Sequence, residues 1–273
     1  MSVEPTTRVT RAVWRKGIRA PGERTIPEES AIAFSYNRFA YAVMMGSPAD
    51  LEDFAIGFSV TQGIISAPEQ IVELETRTQD EGIELRLWLD ETRSEGFGRR
   101  RRYLAGPSGC GLCGVESLAE AMRPPPPVTS RLTLSFAQIM SAIAALAPAQ
   151  PLHQLTRATH AAGFWTPERG LIALREDVGR HNALDKLAGA LSRAHIAGGS
   201  GAVVLTSRVS VEMVQKTAYL GSPILIAVSA PTALAVRAAE EAGVTLIAIA
   251  REDGFETFTH PERLLPEPTH HVA

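Results

Sequence analysis

The residues of this chain best suited to chemistry are two cysteines three positions apart, Cys110 and Cys113. They are its only cysteines, glycines flank both, and four consecutive arginines precede them at positions 99–102. A thiolate is the nucleophilic form of cysteine, and nearby positive charge lowers the thiol pKa and enriches that form. The sequence therefore predicts a loop that presents a reactive thiol, while the rest of the chain positions it or holds its substrate. A solvated connector is an equally good interpretation of the arginine run.

Three other interpretations of the cysteine pair stay open at this point. A structural zinc site needs four ligands, and two cysteines supply half; His160 and His181 could complete a set but show no paired spacing. A thioredoxin-like redox pair is expected where an early strand meets a helix, whereas this pair follows residue 100. Inert buried cysteines are common, but a glycine-rich loop is hard to bury because its backbone groups need partners.

Composition places the chain among ordinary globular proteins. It has 273 residues, is 45% hydrophobic and 21% charged, and carries a formal net charge of −3. There is thus no electrostatic case for DNA or RNA binding, and no run approaches the roughly 18 apolar residues of a membrane span. The N-terminus lacks the pattern of a secretory signal, and two cysteines do not form an extracellular disulfide framework. We expect a cytoplasmic protein with reduced thiols and no membrane partner.

The first part of the chain is predicted to be a smaller α+β domain. The pattern favours an edge strand at 8–14, a buried strand at 41–45, a helix after Asp50 as N-cap, antiparallel strands at 71–76 and 82–89, and a short helix at 115–122. Four prolines, Pro124 to Pro127, form a stiff spacer that cannot lie inside a helix. We therefore place a domain boundary here, with one domain at 1–127 and the second at 128–273.

The second part alternates helices with apolar strands. Helices are expected at 135–146 (capped by Ser135), 180–194, 210–220 and 232–242, and strands at 159–165, 171–174, 201–206, 224–228 and 244–250. Continuous apolar strands between helices indicate an α/β domain whose sheet is covered on both faces. Ligands of such sheets bind at the carboxyl ends of the strands, which directs attention to the loops at 207–208, 229–232 and 251–254.

Polar residues concentrate at these positions. Residues 176–182 read Glu-Asp-Val-Gly-Arg-His-Asn at a strand-to-helix junction; helix capping explains Asp177, but the cluster exceeds what a cap needs. His181 is a candidate proton carrier or a half-buried, hydrogen-bonded histidine. Helix N-termini after Ser207 and Ser229, together with Arg208 and Arg251, suggest a seat for phosphate or pyrophosphate. No dinucleotide-binding or Walker-type glycine loop is present.

Five motifs in order resemble the formate dehydrogenase accessory sulfurtransferase family, FdhD. They are residues 46–58 (GSPADLEDFAIGF), 109–114 (GCGLCG), 176–186 (EDVGRHNALDK), 207–216 (SRVSVEMVQK) and 259–263 (THPER). Any one of them is weak evidence, but five in this order are specific. The resemblance extends from about Tyr41 to Leu264.

The resemblance implies a sulfurtransferase that takes sulfur from a cysteine desulfurase as a cysteine persulfide. It passes the sulfur to the molybdenum (or tungsten) bis-pterin guanine dinucleotide cofactor, which activates formate dehydrogenase. By position Cys110 resembles the persulfide-bearing residue and Cys113 its helper. The family's cofactor-binding segment corresponds to Ile249, Ala250, Arg251, Glu252, Asp253 and Gly254. The resemblance further implies a cytidine deaminase-like second domain, a homodimer, and a GDP-like ligand as a possible occupant. No structural metal is expected.

Competing functions are distinguishable. Zinc-dependent deamination needs His-x-Glu upstream of Pro-Cys-x-x-Cys, but no histidine precedes Cys110 and its preceding residue is glycine. A cofactor-binding chaperone whose cysteines only anchor a partner remains open, and so does a disulfide redox switch. Sulfur bound at Cys110 would support the carrier over both.

Overall fold

The structure, a computed structural model, describes residues 3–93 and 124–266. The predicted cysteine loop, the arginine run, the helix at 115–122 and the tail from residue 267 lie outside these residues. Within the described ranges no helix combines the length and apolarity needed to cross a bilayer.

The chain begins with a two-stranded hairpin, β1 (Thr6–Arg15) and β2 (Ile18–Pro27). The predicted strand at 8–14 is therefore confirmed, and its partner is the strand that follows it. The hairpin forms a sheet of its own, with Thr6 opposite Pro27 and Arg15 opposite Ile18.

A four-stranded sheet and one helix form the first core. The elements are β3 (Ser30–Tyr36), β4 (Phe39–Gly46), α1 (Leu51–Thr61), a 3-10 turn (Pro68–Gln70), β5 (Ile71–Gln79) and β6 (Gly82–Leu89), with strand order β4-β3-β6-β5. Phe34, Phe54 and Phe58 pack between sheet and helix. The strand predicted at 41–45 exists, but its burial was wrong: β4 is an edge strand that leaves Val43 58% exposed. The buried strand is β3, which the sequence pattern did not reveal.

The second core is built on a six-stranded mixed sheet. Its elements are α2 (Phe136–Leu146), α3 (Pro151–Thr156), β8 (His160–Thr166), β9 (Gly170–Asp177), α4 (Arg180–Arg193), β10 (Ala202–Leu205), α5 (Val211–Tyr219), β11 (Ile224–Ala227), α6 (Ala233–Ala242), β12 (Thr245–Arg251) and β13 (Gly254–Thr257). The strand order is β13-β12-β11-β10-β8-β9, and β10, β11 and β12 are parallel. Short pieces complete it: β7 (Leu134–Ser135) pairs with β14 (Leu264–Leu265), and 3-10 turns lie at Ala147–Ala149, Gly198–Ser200 and Pro261–Arg263.

Helices cover both faces of this sheet, as predicted, so the α/β class is confirmed. Buried residues of α4, α5 and α6 pack on one face and those of α2 on the other. Ser135 caps α2 through its Oγ, which accepts from the Gln138 amide at 3.3 Å. Val128 already belongs to the second core, directly after the prolines, while the first core draws its buried residues from 32–89.

The two cores meet where α1 crosses α4 at glycines. A Cβ on Gly57 would lie 1.7 Å from the Asp185 carbonyl oxygen, and one on Gly189 would lie 1.9 Å from that of Asp53. No side chain larger than hydrogen fits at either position. The helices therefore pack backbone to backbone, which fixes α4 rigidly against the first core.

Of two predicted helix caps, Asp50 holds the N-cap position of α1 without a side-chain cap bond, and Asp177 is wrong. Asp50 precedes α1 in a left-handed conformation (φ 52°) and makes no side-chain cap bond; it lies 3.6 Å from Arg175 instead. Asp177 ends β9, and the N-cap of α4 is Gly179. The carboxylate of Asp177 is used elsewhere, as described below.

Candidate functional site

Four strands of the large sheet end at the same edge. β9 is antiparallel to β8, and β8 is antiparallel to β10, so β9 runs in the same direction as the parallel strands β10, β11 and β12. Because residues that follow these strands share one edge, the structure brings together the predicted positions at 180–181, 207–208, 229 and 249–254. From β9 to β12 there are four interstrand steps, or roughly 19 Å. This edge is the candidate site, and an elongated ligand suits it.

The N-terminus of α4 is the best anion seat on this edge. Its N-cap is Gly179, which has no side chain to cap the first amides of the 14-residue helix. Helix N-termini attract anions through these amides and the helix dipole. Arg180 begins the helix, and its Nε is buried without a hydrogen-bond partner among the described residues. A buried unpaired donor is costly, and an anionic ligand would satisfy it.

His181, the next residue, faces the N-terminus of α5. Its Nε2 lies 2.6 Å from Glu212 Oε2, which also accepts from Ser210 Oγ at 3.2 Å. The hydrogen bond from His181 outweighs burial and lowers the pKa of Glu212. Ser210 is the N-cap residue of α5 but makes no side-chain cap bond. The pair thus joins the starts of two helices and leaves an ionised carboxylate between them.

His160 belongs to the same edge, although the sequence marked it only as a possible zinc ligand and not as part of an anion site. It begins β8 opposite Asp177. Burial, followed by the positive charge of Arg180 and the neighbouring His153, lowers the pKa of His160. His160 and Arg180 therefore lie near each other at this edge, and the guanidinium charge of Arg180 favours an anion there. The periodic strand pattern at 159–165 hid this residue, because a strand's first position gives no signal of the loops beside it.

The loops after β10 and β11 are paired with each other. Val209 N donates to Ala230 O at 3.2 Å, and Thr232 N donates to Val209 O at 3.0 Å. The predicted ligands Ser207 and Ser229 lie in these loops. Ser207 is buried, and its Oγ donates to the carbonyl of the following residue at 3.0 Å. Ser229 is half-buried.

The side chains at the ends of these two loops differ in whether they are available to bind a ligand. Arg208 is exposed, so its guanidinium group is accessible to a ligand. Thr232, in contrast, caps α6 by accepting from Ala235 N at 3.2 Å. A ligand therefore has freer access to the loop that leads into α5 than to the loop that leads into α6.

The segment from Ile249 to Gly254 contains a backbone irregularity. Ile249 has φ 52°, a conformation that is strained for a β-branched residue, and a bulge interrupts the pairing of β12 with β13 between Ala248 and Arg251. The amide of Ile249 donates to Ser229 O at 3.3 Å. Strain of this kind concentrates at functional sites.

Side chains of the same segment point to binding through the backbone. Arg251 folds its Nη1 onto the carbonyl oxygens of Val228 and Ala250. Ala250 is buried, whereas Glu252 and Asp253 form an exposed turn that Gly254 closes with φ 158°. The sequence had indicated an open loop here, but β12 and β13 form a hairpin. Its acidic turn does not suit a phosphate group.

The remaining polar residues of the 176–186 motif hold the two cores together. Asp177 and Lys186 form a fully buried ion pair at 2.6 Å. Asp177 also accepts from the amides of Ser47 (2.9 Å) and Gly179 (2.7 Å), and Lys186 Nζ donates to Ser47 O at 2.8 Å. Asn182 donates to Met45 O at 2.8 Å. The motif therefore has two parts: Arg180 and His181 face the site, and these residues clamp the turn after β4.

Two further carboxylates of the motif are structural. Glu176 accepts from the amides of Leu152 (2.8 Å) and His153 (2.7 Å) and so caps α3. Asp185 Oδ1 binds Lys216 Nζ at 2.6 Å and Thr61 Oγ1 at 2.5 Å, linking α4, α5 and α1. Among the described residues, Asp185 Oδ2 is buried without a partner.

Neither a metal site nor a deaminase site is found in the described ranges. No group of three His, Cys, Asp or Glu residues there could hold a metal ion. A His-x-Glu does occur at 260–262, downstream of the cysteines. The His260 ring contacts Glu262 Oε1 of the same motif through Nδ1 at 3.0 Å, and the Glu240 carbonyl oxygen through Nε2 at 3.0 Å. Since Thr245, the first residue of β12, donates to His260 O, this histidine lies at the opposite edge of the sheet.

Comparison with known proteins assigns the chain to a family. The model of the FdhD/NarQ family matches residues 27–265. "Sulfur carrier protein FdhD" of Agrobacterium fabrum is 51% identical over 97% of this chain and 98% of its own length. The protein of the same name from Cupriavidus necator is 48% identical over 97% and 92%, respectively.

A solved structure agrees with this assignment. The crystal structure described as a formate dehydrogenase accessory protein from Desulfotalea psychrophila has a TM-score of 0.73 and 27% identity, covering 96% of this chain and all of that one. The fold is thus that of an α/β accessory protein. The chain belongs to the FdhD/NarQ family, and the predicted family resemblance is confirmed.

Proposed function

We propose that this protein is a sulfur carrier with sulfurtransferase activity. It accepts sulfur from a cysteine desulfurase and delivers it to the molybdenum (or tungsten) bis-pterin guanine dinucleotide cofactor needed by formate dehydrogenase. Membership of the FdhD/NarQ family, with near-full-length relatives named sulfur carrier proteins, supports the sulfur chemistry. The chain supplies two cysteines for it, Cys110 and Cys113.

The chemistry is thiol–persulfide exchange. The Cys110 thiolate attacks the terminal sulfur of the desulfurase persulfide, which forms the Cys110 persulfide and releases the desulfurase thiolate. Attack of the Cys113 thiolate on the Cys110 sulfur then expels the outer sulfur as hydrosulfide and leaves a Cys110–Cys113 disulfide. An external dithiol of the kind that reduces protein disulfides restores both thiols.

The cofactor, as the substrate that receives sulfur, is proposed to bind along the carboxyl edge of the large sheet. The observation that carries this is the buried Nε of Arg180 at the start of α4, which has no partner among the described residues. A pyrophosphate oxygen there would accept from Arg180 and from the helix amides. His181, Ser207, Arg208 and Ser229 extend the edge towards the strained segment at Ile249, where backbone groups make the remaining contacts.

The sulfur-carrier role is tested by intact-protein mass after incubation with a cysteine desulfurase and cysteine, without reductant. We expect a reductant-sensitive gain of one sulfur atom in the wild type and in Cys113→Ala, and none in Cys110→Ala. No gain in the wild type, with a desulfurase shown to be active, would contradict the proposal.

The binding edge is tested separately with GDP, which carries the guanine and pyrophosphate of the cofactor, by calorimetry. Arg180→Met is expected to weaken binding by about tenfold or more, because charge-assisted hydrogen bonds contribute about 1.5–3 kcal/mol. Arg237→Met, at an exposed arginine of α6, is the matched control. Equal affinity of both variants would place the pyrophosphate elsewhere.

The second candidate is a cofactor-binding chaperone whose cysteines only anchor a partner. The candidate site at the sheet edge supports the chaperone as much as the carrier, because either protein would bind the same ligand. A Cys110→Ala protein that still activates formate dehydrogenase would select the chaperone. For either role we propose a cytoplasmic protein that associates as a homodimer and contacts the desulfurase and formate dehydrogenase.

A further inference from the structure

The hairpin β1–β2 lacks a core of its own. None of its 20 strand residues is buried, and its large apolar side chains are exposed: Trp14 by 67%, Ile18 by 73% and Ile26 by 36%. A two-stranded hairpin by itself is marginally stable in water. The hairpin also precedes the residues that the family model matches, 27–265.

Among the described residues, the hydrogen bonds that tie the hairpin to the body and close its open end lie at its base. Arg24 Nη2 donates to Thr156 O of α3 at 3.0 Å, and Glu28 N donates to Pro5 O at 2.9 Å. In the outer half of the hairpin, from Thr10 to Glu23, the two strands pair with each other. A ribbon of this length with exposed apolar residues at its tip indicates a binding arm.

The charge of the arm differs from that of the rest of the chain. Residues 6–27 contain five arginines, Lys16 and a single carboxylate, Glu23, which gives a net charge of +5. The protein has 27 cationic and 30 acidic side chains, of which 21 and 29, respectively, lie outside residues 6–27. The rest of the chain therefore carries a net charge of −8. The arm is therefore complementary in charge to the body of its own chain. Two arms, in contrast, repel each other.

The second core offers an acidic edge that matches the arm. Strand β13 ends the large sheet, and residues 240–262 around it include six carboxylates and one arginine. The carboxylates, all exposed, are Glu240, Glu241, Glu252, Asp253, Glu256 and Glu262. An edge strand with free backbone groups can pair with another strand.

We infer that the hairpin is an exchanged arm, which docks on the acidic β13 edge of a second copy of this chain. One face of the ribbon presents Val13, Ile18 and Ala20 with Arg11 and Arg15, since the pleat places these alternate residues together. Apolar contacts of Val13 and Ile18 supply affinity, and the arginines on the same face supply orientation. The inference adds the contact surface to the homodimer of the proposed function and does not depend on the sulfur chemistry.

The dimer dissociation constant of the full chain, measured by sedimentation equilibrium, tests the arm. Val13→Ser/Ile18→Ser, on the proposed docking face, is expected to raise it by at least about tenfold, as loss of interface anchors does. Arg11→Glu/Arg15→Glu is expected to do the same. Val72→Ser, on β5 at 70% exposure, is the matched control and leaves it unchanged.

Salt gives an independent measurement on the unmodified protein. The dimer dissociation constant is expected to rise as NaCl is raised from about 0.05 to about 0.5 M. These conditions are chosen so that the Debye length falls from about 14 to about 4 Å. A monomeric wild type, or a dimer that both arm variants leave intact, would overturn the inference. Persulfide formation at Cys110 is measured separately and stays interpretable in either case.

Discussion

At the scale of single residues, charge serves two purposes in this protein. Arg180 brings positive charge to the candidate site, and its Nε has no partner among the described residues, while Asp177, Lys186 and Asp185 are neutralised in the interior. Both groups come from the same stretch of sequence. Burial separates the two groups: Asp177, Asp185 and Lys186 are fully buried, whereas Arg180 is half-buried.

Removing one partner of the buried pair should be strongly destabilising. Lys186→Met leaves the Asp177 carboxylate uncompensated, and we expect a loss of about 3–5 kcal/mol in urea unfolding. Arg8→Met, which breaks an exposed pair with Glu23, should change stability negligibly. A loss below about 1 kcal/mol for Lys186→Met would mean that water reaches Asp177.

The His181–Glu212 pair predicts a pH dependence of stability. Its hydrogen bond lowers the pKa of Glu212 in the folded state. The stabilisation is therefore complete above the unfolded pKa of about 4.3 and is lost as pH falls through the lower folded value. The stability difference between wild type and Glu212→Gln should be constant above about pH 5 and shrink below pH ~4. Glu168→Gln, in an exposed turn, should show no such difference.

At the scale of elements, helix α4 organises the molecule. Its first turn faces the binding edge, its middle carries the buried lysine and aspartate, and its Gly189 meets α1. The binding edge is therefore coupled to the first core through one rigid helix.

Glycine is required at the crossing of α1 and α4. Gly57→Ala would place a methyl group against the Asp185 carbonyl, so the helices must separate; we expect a loss of about 1–3 kcal/mol or more by chemical denaturation. Gly199→Ala is the control, because its Cβ would meet Ser130 at an ordinary 3.4 Å. Equal stability of the two variants would show that the crossing is loosely packed.

At the scale of the whole molecule, the two cores are expected to unfold together. Asp53 binds Arg175 at 2.6 Å and Arg193 at 2.9 Å, which adds to the clamp at Ser47. Trp88 and Trp165 report on the first and second core, respectively. Variants that retain only one of them should give the same thermal midpoint by fluorescence. Midpoints that differ by several degrees would indicate independent domains.

The sequence by itself determined much of the second core. The apolar runs at 201–206, 224–228 and 244–250 have the length of strands and lie between segments with helical periodicity. They therefore predicted buried strands, and the structure contains all three. Motif identity also sufficed for the family, since five spaced segments occur in order. Strand β3 was missed because its pattern, Ser-Ala-Ile-Ala-Phe-Ser-Tyr, is short and partly polar.

Only the tertiary structure decided what each polar residue does. A sequence shows that residues 176–186 are rich in charge. It does not show that Asp177 and Lys186 bind Ser47 of a distant segment, or that Arg180 Nε has no partner in the described part of the chain. Long-range pairing sets burial, and burial sets whether a charge is neutralised or left to bind a ligand. For the same reason the exposed, cationic hairpin could be recognised as an arm only after its lack of a core was visible.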